Sequence, residues 1–228
     1  MSERLLPESF FARECLEVAL GLLGKLVRHG SVTLRITELE AYRFPHDTAS
    51  HCHRGRTPRN AVMWGPPGRA YVYLCYGMHQ MFNVVADVDG HGSGVLIRAC
   101  EPVSGLELIT QRRGGKTGPV ALTGPGKVAS ALKLDTRFSG HPLFEAGGVE
   151  LLDAPPVERF LVGPRVGIDF ADPGHRAAPW RLAVADTRWV SERATLTPYA
   201  RGGAHYLARE RHTAKSSTTK AGKRVRAG

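Results

Sequence analysis

Glu38 and Glu40 stand two residues apart in ITELEAY, residues 36–42. On a β-strand that spacing puts both carboxylates on one face, with Cα atoms about 6.6 Å apart from strand rise. Such a pair can do hydrolytic work: one carboxylate activates a water while the other orients it, as acids do in sugar-hydrolysing enzymes. Counted with period two, Glu38, Glu40 and Tyr42 continue the face begun by Val32, Leu34 and Ile36, which predicts that the acids point inward. An unpaired inward carboxylate costs several kcal/mol, on the order of the price of other buried charges, so it must be paired or used. The competing explanation is an ion pair with an arginine such as Arg35 or Arg98.

The next chemistry-bearing stretch is RAYVYLCYGM, residues 69–78. Tyr71 and Tyr73 share a strand face, where aromatics commonly pack in a core. Tyr76 and Gly77 fall where a hairpin must turn. An exposed tip of Tyr76, Gly77 and Met78 on a basic protein reads as a wedge for a nucleic-acid groove, with Tyr42 and Tyr73 as flat faces for an unstacked base. His51, Cys52 and His53 raise a metal hypothesis, but no further ligands follow at zinc-like spacing, so loop histidines hydrogen-bonded to neighbours are the better explanation. RGRTPRN, residues 54–60, offers three arginines in a turn-rich run, either a solvated surface or a phosphate-contacting loop that includes Arg56. TGPGK, residues 123–127, fails the G-x-x-x-x-G-K-[ST] pattern of a P-loop, yet it opens a helix near whose N-terminus Lys127 can meet a phosphate.

The elements that must position these residues follow from periodicity and punctuation. FFARECLEVALGLLG predicts a helix starting after Pro7 and Ser9 and stopped by Gly24. KLVR-HG-SVTLRITELEAY predicts a β-hairpin turning at His29-Gly30, and RAYVYLCYGMHQMFNVVADV a second one. VLIRAC predicts a strand, Pro102 the start of a helix ending at Gly114, and RVGID and WRLAVAD two more short strands. From Arg209 the chain is almost devoid of apolar residues, which predicts a disordered basic tail over 209–228 behind a single folded domain over 1–208.

With 228 residues, 42% of them hydrophobic, the chain can bury one substantial core. Its net charge of +10 points to a polyanionic partner, nucleic acid first. No apolar run approaches the roughly 20 residues of a membrane span, and the first residues lack a signal-peptide pattern, so an intracellular protein is expected. Cys15, Cys52, Cys75 and Cys100 are scattered, which fits reduced thiols.

Taken together, LEAY at 39–42, the His51 segment with RGRTPRN, YVYLCYGM at 71–78, Asn83, VLIRA at 95–99 followed by EP, and TGPGK at 123–127 resemble the alkyladenine (3-methyladenine) DNA glycosylase family, in order and spacing, from about residue 5 to WVS at 189–191. The resemblance implies a single compact domain of mixed α/β class, with a curved, largely antiparallel sheet, surrounding helices and a protruding hairpin. It implies a monomeric, monofunctional enzyme, without metal or other cofactor, acting on double-stranded DNA that contains damaged purines, in the cytoplasm or nucleus. Residue by residue, Glu40 matches the general base, with Arg98 and the carbonyl of Val166 positioning the water. Tyr42, Ala49, His51, Tyr71 and Tyr73 match the lining of the base pocket, Asn83 the residue that excludes the guanine amino group, and Tyr76 with Met78 the wedge. Arg56 and Lys127 are the expected phosphate contacts. Where other members tend to carry a second aromatic after the wedge, this chain has His79. Two other classes remain open: a glycosidase acting on free nucleosides, and an architectural protein that wedges DNA without chemistry.

Overall fold

A computed structural model describes residues 4–210. Its frame is one open sheet of nine strands, every pair antiparallel: β1 (Leu26–His29), β2 (Val32–Tyr42), β3 (Ala70–Cys75), β4 (His79–Ala86), β5 (Ser93–Ser104), β6 (Val149–Leu152), β7 (Phe160–Gly163), β8 (Arg181–Val184) and β9 (Thr197–Pro198), in the order β3-β4-β5-β2-β8-β7-β9, with β1 bridging β2 and β6. The first hairpin joins β1 (Leu26–His29) to β2 (Val32–Tyr42), and pairing of His29 with Val32 puts its turn at Gly30-Ser31, one residue later than expected. The second joins β3 (Ala70–Cys75) to β4 (His79–Ala86), and both Tyr76 and Gly77 at its tip have positive φ. This pair of left-handed residues suits a tight hairpin, and glycine supplies the second one without strain.

The long central strands are β2 and β5 (Ser93–Ser104). β5 runs straight through Pro102, where a helix was expected to begin. Pro102 pairs with Leu34 beside a register shift, a bulge position where a missing N–H is tolerated. The helix that follows, α2 (Leu106–Arg112), starts after Gly105. Before it in the chain, α1 (Cys15–Leu22) also starts later than expected, because Glu14 caps it by accepting a hydrogen bond from the Leu16 N–H at 2.9 Å, while Glu8–Phe10 form a separate 3-10 turn. Gly24 follows with φ +79°, as its C-terminal position predicts. α3 (Pro125–Leu132) arises from TGPGK as expected.

Short strands complete the sheet: β6 (Val149–Leu152), β7 (Phe160–Gly163), β8 (Arg181–Val184) and β9 (Thr197–Pro198). WRLAVAD thus supplies a strand, whereas RVGID does not. The strand nearby is FLVG, and residues 165–169 form a loop after it. α4 (Pro173–Ala177) and helical residues 203–210 close the described chain, with Tyr206 fully buried and Glu210 accepting from Trp180 Nε1 at 3.0 Å. Folded chain therefore continues two residues past 208, and the expected tail from 211 onward lies outside the described residues. The four cysteines are free. Among the described residues no helix is long and apolar enough to cross a membrane.

One feature of β2 corrects the period-two reading. Ile36 pairs with Cys100 but Glu38 with Ala99, so Thr37 is an extra residue on β2. Glu38 then pairs with Ala99 but Leu39 with Ile97, so Arg98 is an extra residue on β5. Paired bulges reverse which side chains face which way. The main core takes Val32, Leu34 and Ile36 before the bulge but Leu39 and Ala41 after it, and on β5 it takes Val95 and Ile97, then Cys100. Glu38, Glu40 and Tyr42 consequently leave the hydrophobic core and emerge on the opposite face of the sheet.

Candidate active site

On that opposite face lies a cavity of about 410 Å³. β2 contributes Tyr42, β5 Leu96 and Arg98, and the second hairpin Tyr71, Tyr73, Tyr76, Met81 and Asn83. The loop after β2 adds Ala49, His51 and Arg59, and the loop after β7 adds Val166, Gly167, Ile168 and Phe170. All six expected base-pocket residues line it, from Tyr42 to Asn83, and Val166 joins them from 124 residues beyond Tyr42.

Glu40 is fully buried behind this cavity. The Val166 N–H donates to its Oε1 at 2.8 Å, the Tyr42 hydroxyl donates to its Oε2 at 2.9 Å, and Arg98 Nη1 lies 3.4 Å from Oε1. Three donors fix the orientation of the carboxylate, as a general base that must meet a positioned water requires. Glu38 occupies a different environment. Its oxygens accept from the Ser191 N–H at 2.6 Å, the Ser191 hydroxyl at 2.9 Å and Arg181 at 3.1 Å, and Arg98 Nε lies 3.2 Å from Oε1. Burial pushes the Glu38 carboxyl above its ordinary range, opposed by Ser191, Arg98 and Arg181. Glu38 is sealed from the cavity and works as an anchor: it fixes the Arg98 guanidinium that then faces Glu40. The ion pair of Glu38 with Arg98 and the arrangement around Glu40 are thus one structure, while Arg35 pairs with Glu101 instead.

The aromatic walls are fixed just as firmly. His51 Nδ1 lies 3.1 Å from the Tyr71 hydroxyl, and the His51 ring meets Tyr73 edge-on with centroids 4.6 Å apart. Its outer edge reaches solvent, but lost hydration on the inner side and the Arg59 charge lower its imidazole below the ordinary value, so it is neutral at pH 7. Burial pushes the Tyr71 phenol up to about 12 and raises those of Tyr42 and Tyr73 as well. Asn83 pairs with Tyr71 across the hairpin, and its Nδ2 donates to the Tyr71 carbonyl at 3.1 Å and the Met81 carbonyl at 3.3 Å, which locks its rotamer.

Behind Tyr42 stands a support that sequence reasoning missed. Arg165 and Asp47 form a fully buried bidentate pair with contacts of 2.6 and 2.8 Å, and Arg165 also donates to the Ala41 carbonyl at 2.9 Å. The guanidinium is stacked between Tyr42, at 4.6 Å, and Trp180, at 5.0 Å. Asp47 in turn accepts from the Ala49 N–H at 3.0 Å. One ion pair therefore joins the strand carrying Glu40, the loop carrying Ala49 and His51, and the residue preceding Val166. Arg59, Arg181 and Ser191 were also unassigned to the site. Their only signal was position, Arg59 within RGRTPRN and Ser191 at the end of WVS.

The expected DNA-contacting residues are outside the cavity floor. Tyr76 is 87% exposed and Met78 72%, at the hairpin tip. Arg56 is exposed on its loop, away from the cavity lining. Lys127 lies in the first turn of α3, where lost hydration and the charges of Arg113 and Lys116 lower its ammonium below the ordinary value. His51, Cys52 and His53 do not converge: Cys52 is buried against Met63, and among the described residues no group of three or more His, Cys, Asp and Glu side chains is placed to hold a metal ion.

A family model described as methylpurine-DNA glycosylase (MPG) matches residues 9–188. The chain belongs to the methylpurine-DNA glycosylase family. Such an enzyme is a monofunctional hydrolase of N-glycosyl bonds in DNA. The chain is 57% identical over 194 residues to a Nitrosococcus oceani protein named "Putative 3-methyladenine DNA glycosylase", covering 85% of this chain and 96% of that one. It is also 57% identical over 198 residues to the DNA-3-methyladenine glycosylase of Arabidopsis thaliana, covering 86% and 78%.

Proposed function

We propose that this glycosylase flips alkylated or deaminated purines out of duplex DNA and cleaves their N-glycosidic bond by water attack, beginning base-excision repair. The observation that carries this reading is the Glu40 carboxylate, buried behind an aromatic cavity and oriented by three donors. Glu40 takes a proton from a water aimed at the sugar anomeric carbon, while Arg98 and the Val166 carbonyl position that water. Tyr42 on one side and His51 with Tyr73 on the other hold the base. A cationic 3-methyladenine or 7-methylguanine is already a good leaving group and stacks well on electron-rich rings. The neutral hypoxanthine and ethenoadenine depend more on shape. The rigid Asn83 amide excludes the guanine amino group by occupying its space, and the main chain around Ala49 and His51 reads the purine six-position edge.

Tyr76, with Met78, fills the gap left by the flipped nucleotide. Arg56 and Lys127 contact phosphates, and Lys127 gains most because an anion relieves its repulsion from Arg113 and Lys116. The protein acts as a monomer in the compartment that holds the DNA. Base release from a duplex with one hypoxanthine or ethenoadenine, read as alkali-labile strand cleavage, tests the reading. Failure to release either base, or 3-methyladenine from methylated DNA, overturns it. An architectural protein would need no buried, oriented carboxylate behind its wedge.

A further inference from the structure

Tyr76 is not alone at the mouth of the cavity. Phe170 lines the same cavity from the loop after β7 and is 76% exposed. Each of the other seven phenylalanines is buried or half-buried, so this ring forgoes the burial its type usually obtains. Its exposure is built in. The Ala171 N–H donates to the Ile168 carbonyl at 2.9 Å, closing a turn whose flanks, Ile168 and Ala171, pack with Ala49 and Tyr42. Those buried flanks leave Asp169 and Phe170 as the outward corners. Among the described residues Phe170 has no aromatic or cationic ring partner.

The sheet order says where this corner sits relative to the wedge. Hairpin β3–β4 occupies one edge, β7 lies towards the other, and β5 and β2, which carry Arg98 and Glu40, run between them. A nucleotide entering the cavity passes with Tyr76 on one flank and Phe170 on the other.

We infer that Phe170 is a second DNA-contacting aromatic, packing against the sugar and base face of the duplex on the side of the cavity away from Tyr76. The adjacent Asp169 repels phosphate, so the ring's partner is the apolar and π surface of the nucleotide rather than its backbone. Gripping the duplex on both flanks stabilises the flipped state more than one wedge does, because the unstacked neighbours on each side find a surface. The inference rests on the base-flipping reading above.

The test uses the full chain and a labelled duplex with one ethenoadenine, whose fluorescence reports unstacking. Phe170→Ala weakens binding to this duplex roughly 5- to 100-fold, as removal of one base–aromatic stack requires, and lowers the flipped fraction. Phe170→Trp restores both, whereas Phe170→Leu, apolar without a π face, restores little. An unchanged melting temperature certifies each variant as folded, as expected for an exposed ring. Wild-type affinity and flipped fraction in Phe170→Ala, or full recovery in Phe170→Leu, overturn the inference. Wild-type protein that binds and flips but releases no base overturns the excision reading instead and leaves the Phe170 comparison decisive.

Discussion

Glu40→Gln keeps the side-chain shape, and its amide oxygen still accepts the Val166 N–H, while the Tyr42 hydroxyl can rotate to accept from the amide nitrogen. Only the proton acceptor is removed. Single-turnover excision falls by about 10²- to 10⁴-fold, with lesion-duplex affinity nearly unchanged. A drop below tenfold removes Glu40 from the chemistry. Asn83→Ser unlocks the space held by an amide tied to two carbonyls. Guanine release from an undamaged duplex then rises modestly, since deleting a clash adds no attraction, and release no higher than wild type argues against the gate. His51 and His175 both titrate below the ordinary histidine value, chiefly through lost hydration. Between their folded values and about 6.5 the unfolded chain binds more protons than the folded one, so stability rises with pH through that window. Thermal melting across pH 5 to 7 shows destabilisation on acidification, and His51→Gln removes part of that dependence. A pH slope identical to wild type would mean His51 is not held neutral by the fold.

At the scale of elements, the bulges at Thr37 and Arg98 and the Arg165–Asp47 pair do the positioning. Asp47→Asn leaves a buried guanidinium without its counter-charge, which costs about 3–5 kcal/mol. Chemical denaturation measures that destabilisation, and a change below 1 kcal/mol, roughly the worth of a surface pair, would show that the pair is not the tie between the Ala49 and Val166 loops. Replacing both partners, as in Arg165→Met with Asp47→Leu, costs less than Asp47→Asn alone, because no charge is stranded. The hairpin tip has the opposite character, exposed and dispensable to the fold. On the proposed flipping mechanism, Tyr76→Ala leaves stability unchanged but lowers the flipped fraction at an ethenoadenine, since a wedge there would offset unstacking worth a few kcal/mol. Equal fluorescence in mutant and wild type would sink that role.

At the scale of the molecule, the charge of +10 sets how DNA is found. Six basic residues and no acidic ones lie in 211–228. Truncation after Glu210, which keeps the Trp180 hydrogen bond, flattens the slope of log affinity against log salt by about 0.9 for each phosphate that is no longer neutralised. The excision rate at saturating enzyme stays the same. An unchanged slope means the segment does not touch DNA, and a slower saturated step means it helps build the site.

The amino-acid sequence by itself determined whatever depends on near neighbours. The Tyr76-Gly77 turn, the stop at Gly24 and the helix out of TGPGK follow from local backbone preferences, and Glu40, Arg98, His51, Asn83 and the tyrosines around the cavity were legible through their order along the chain, whereas Arg59 and Phe170 were not. Only the tertiary structure decided how Glu38 and Glu40 face. Their escape from the core depends on an extra residue in each of two paired strands, and a bulge belongs to the pairing, not to either strand read alone. For the same reason Pro102, a helix opener by local preference, lies in β5, where its bulged pairing with Leu34 prevails. Glu38 with Ser191 and Asp47 with Arg165 are separated by more than a hundred residues. No periodicity links such partners, because burying a charge selects its counter-charge by distance in the folded chain and not along it.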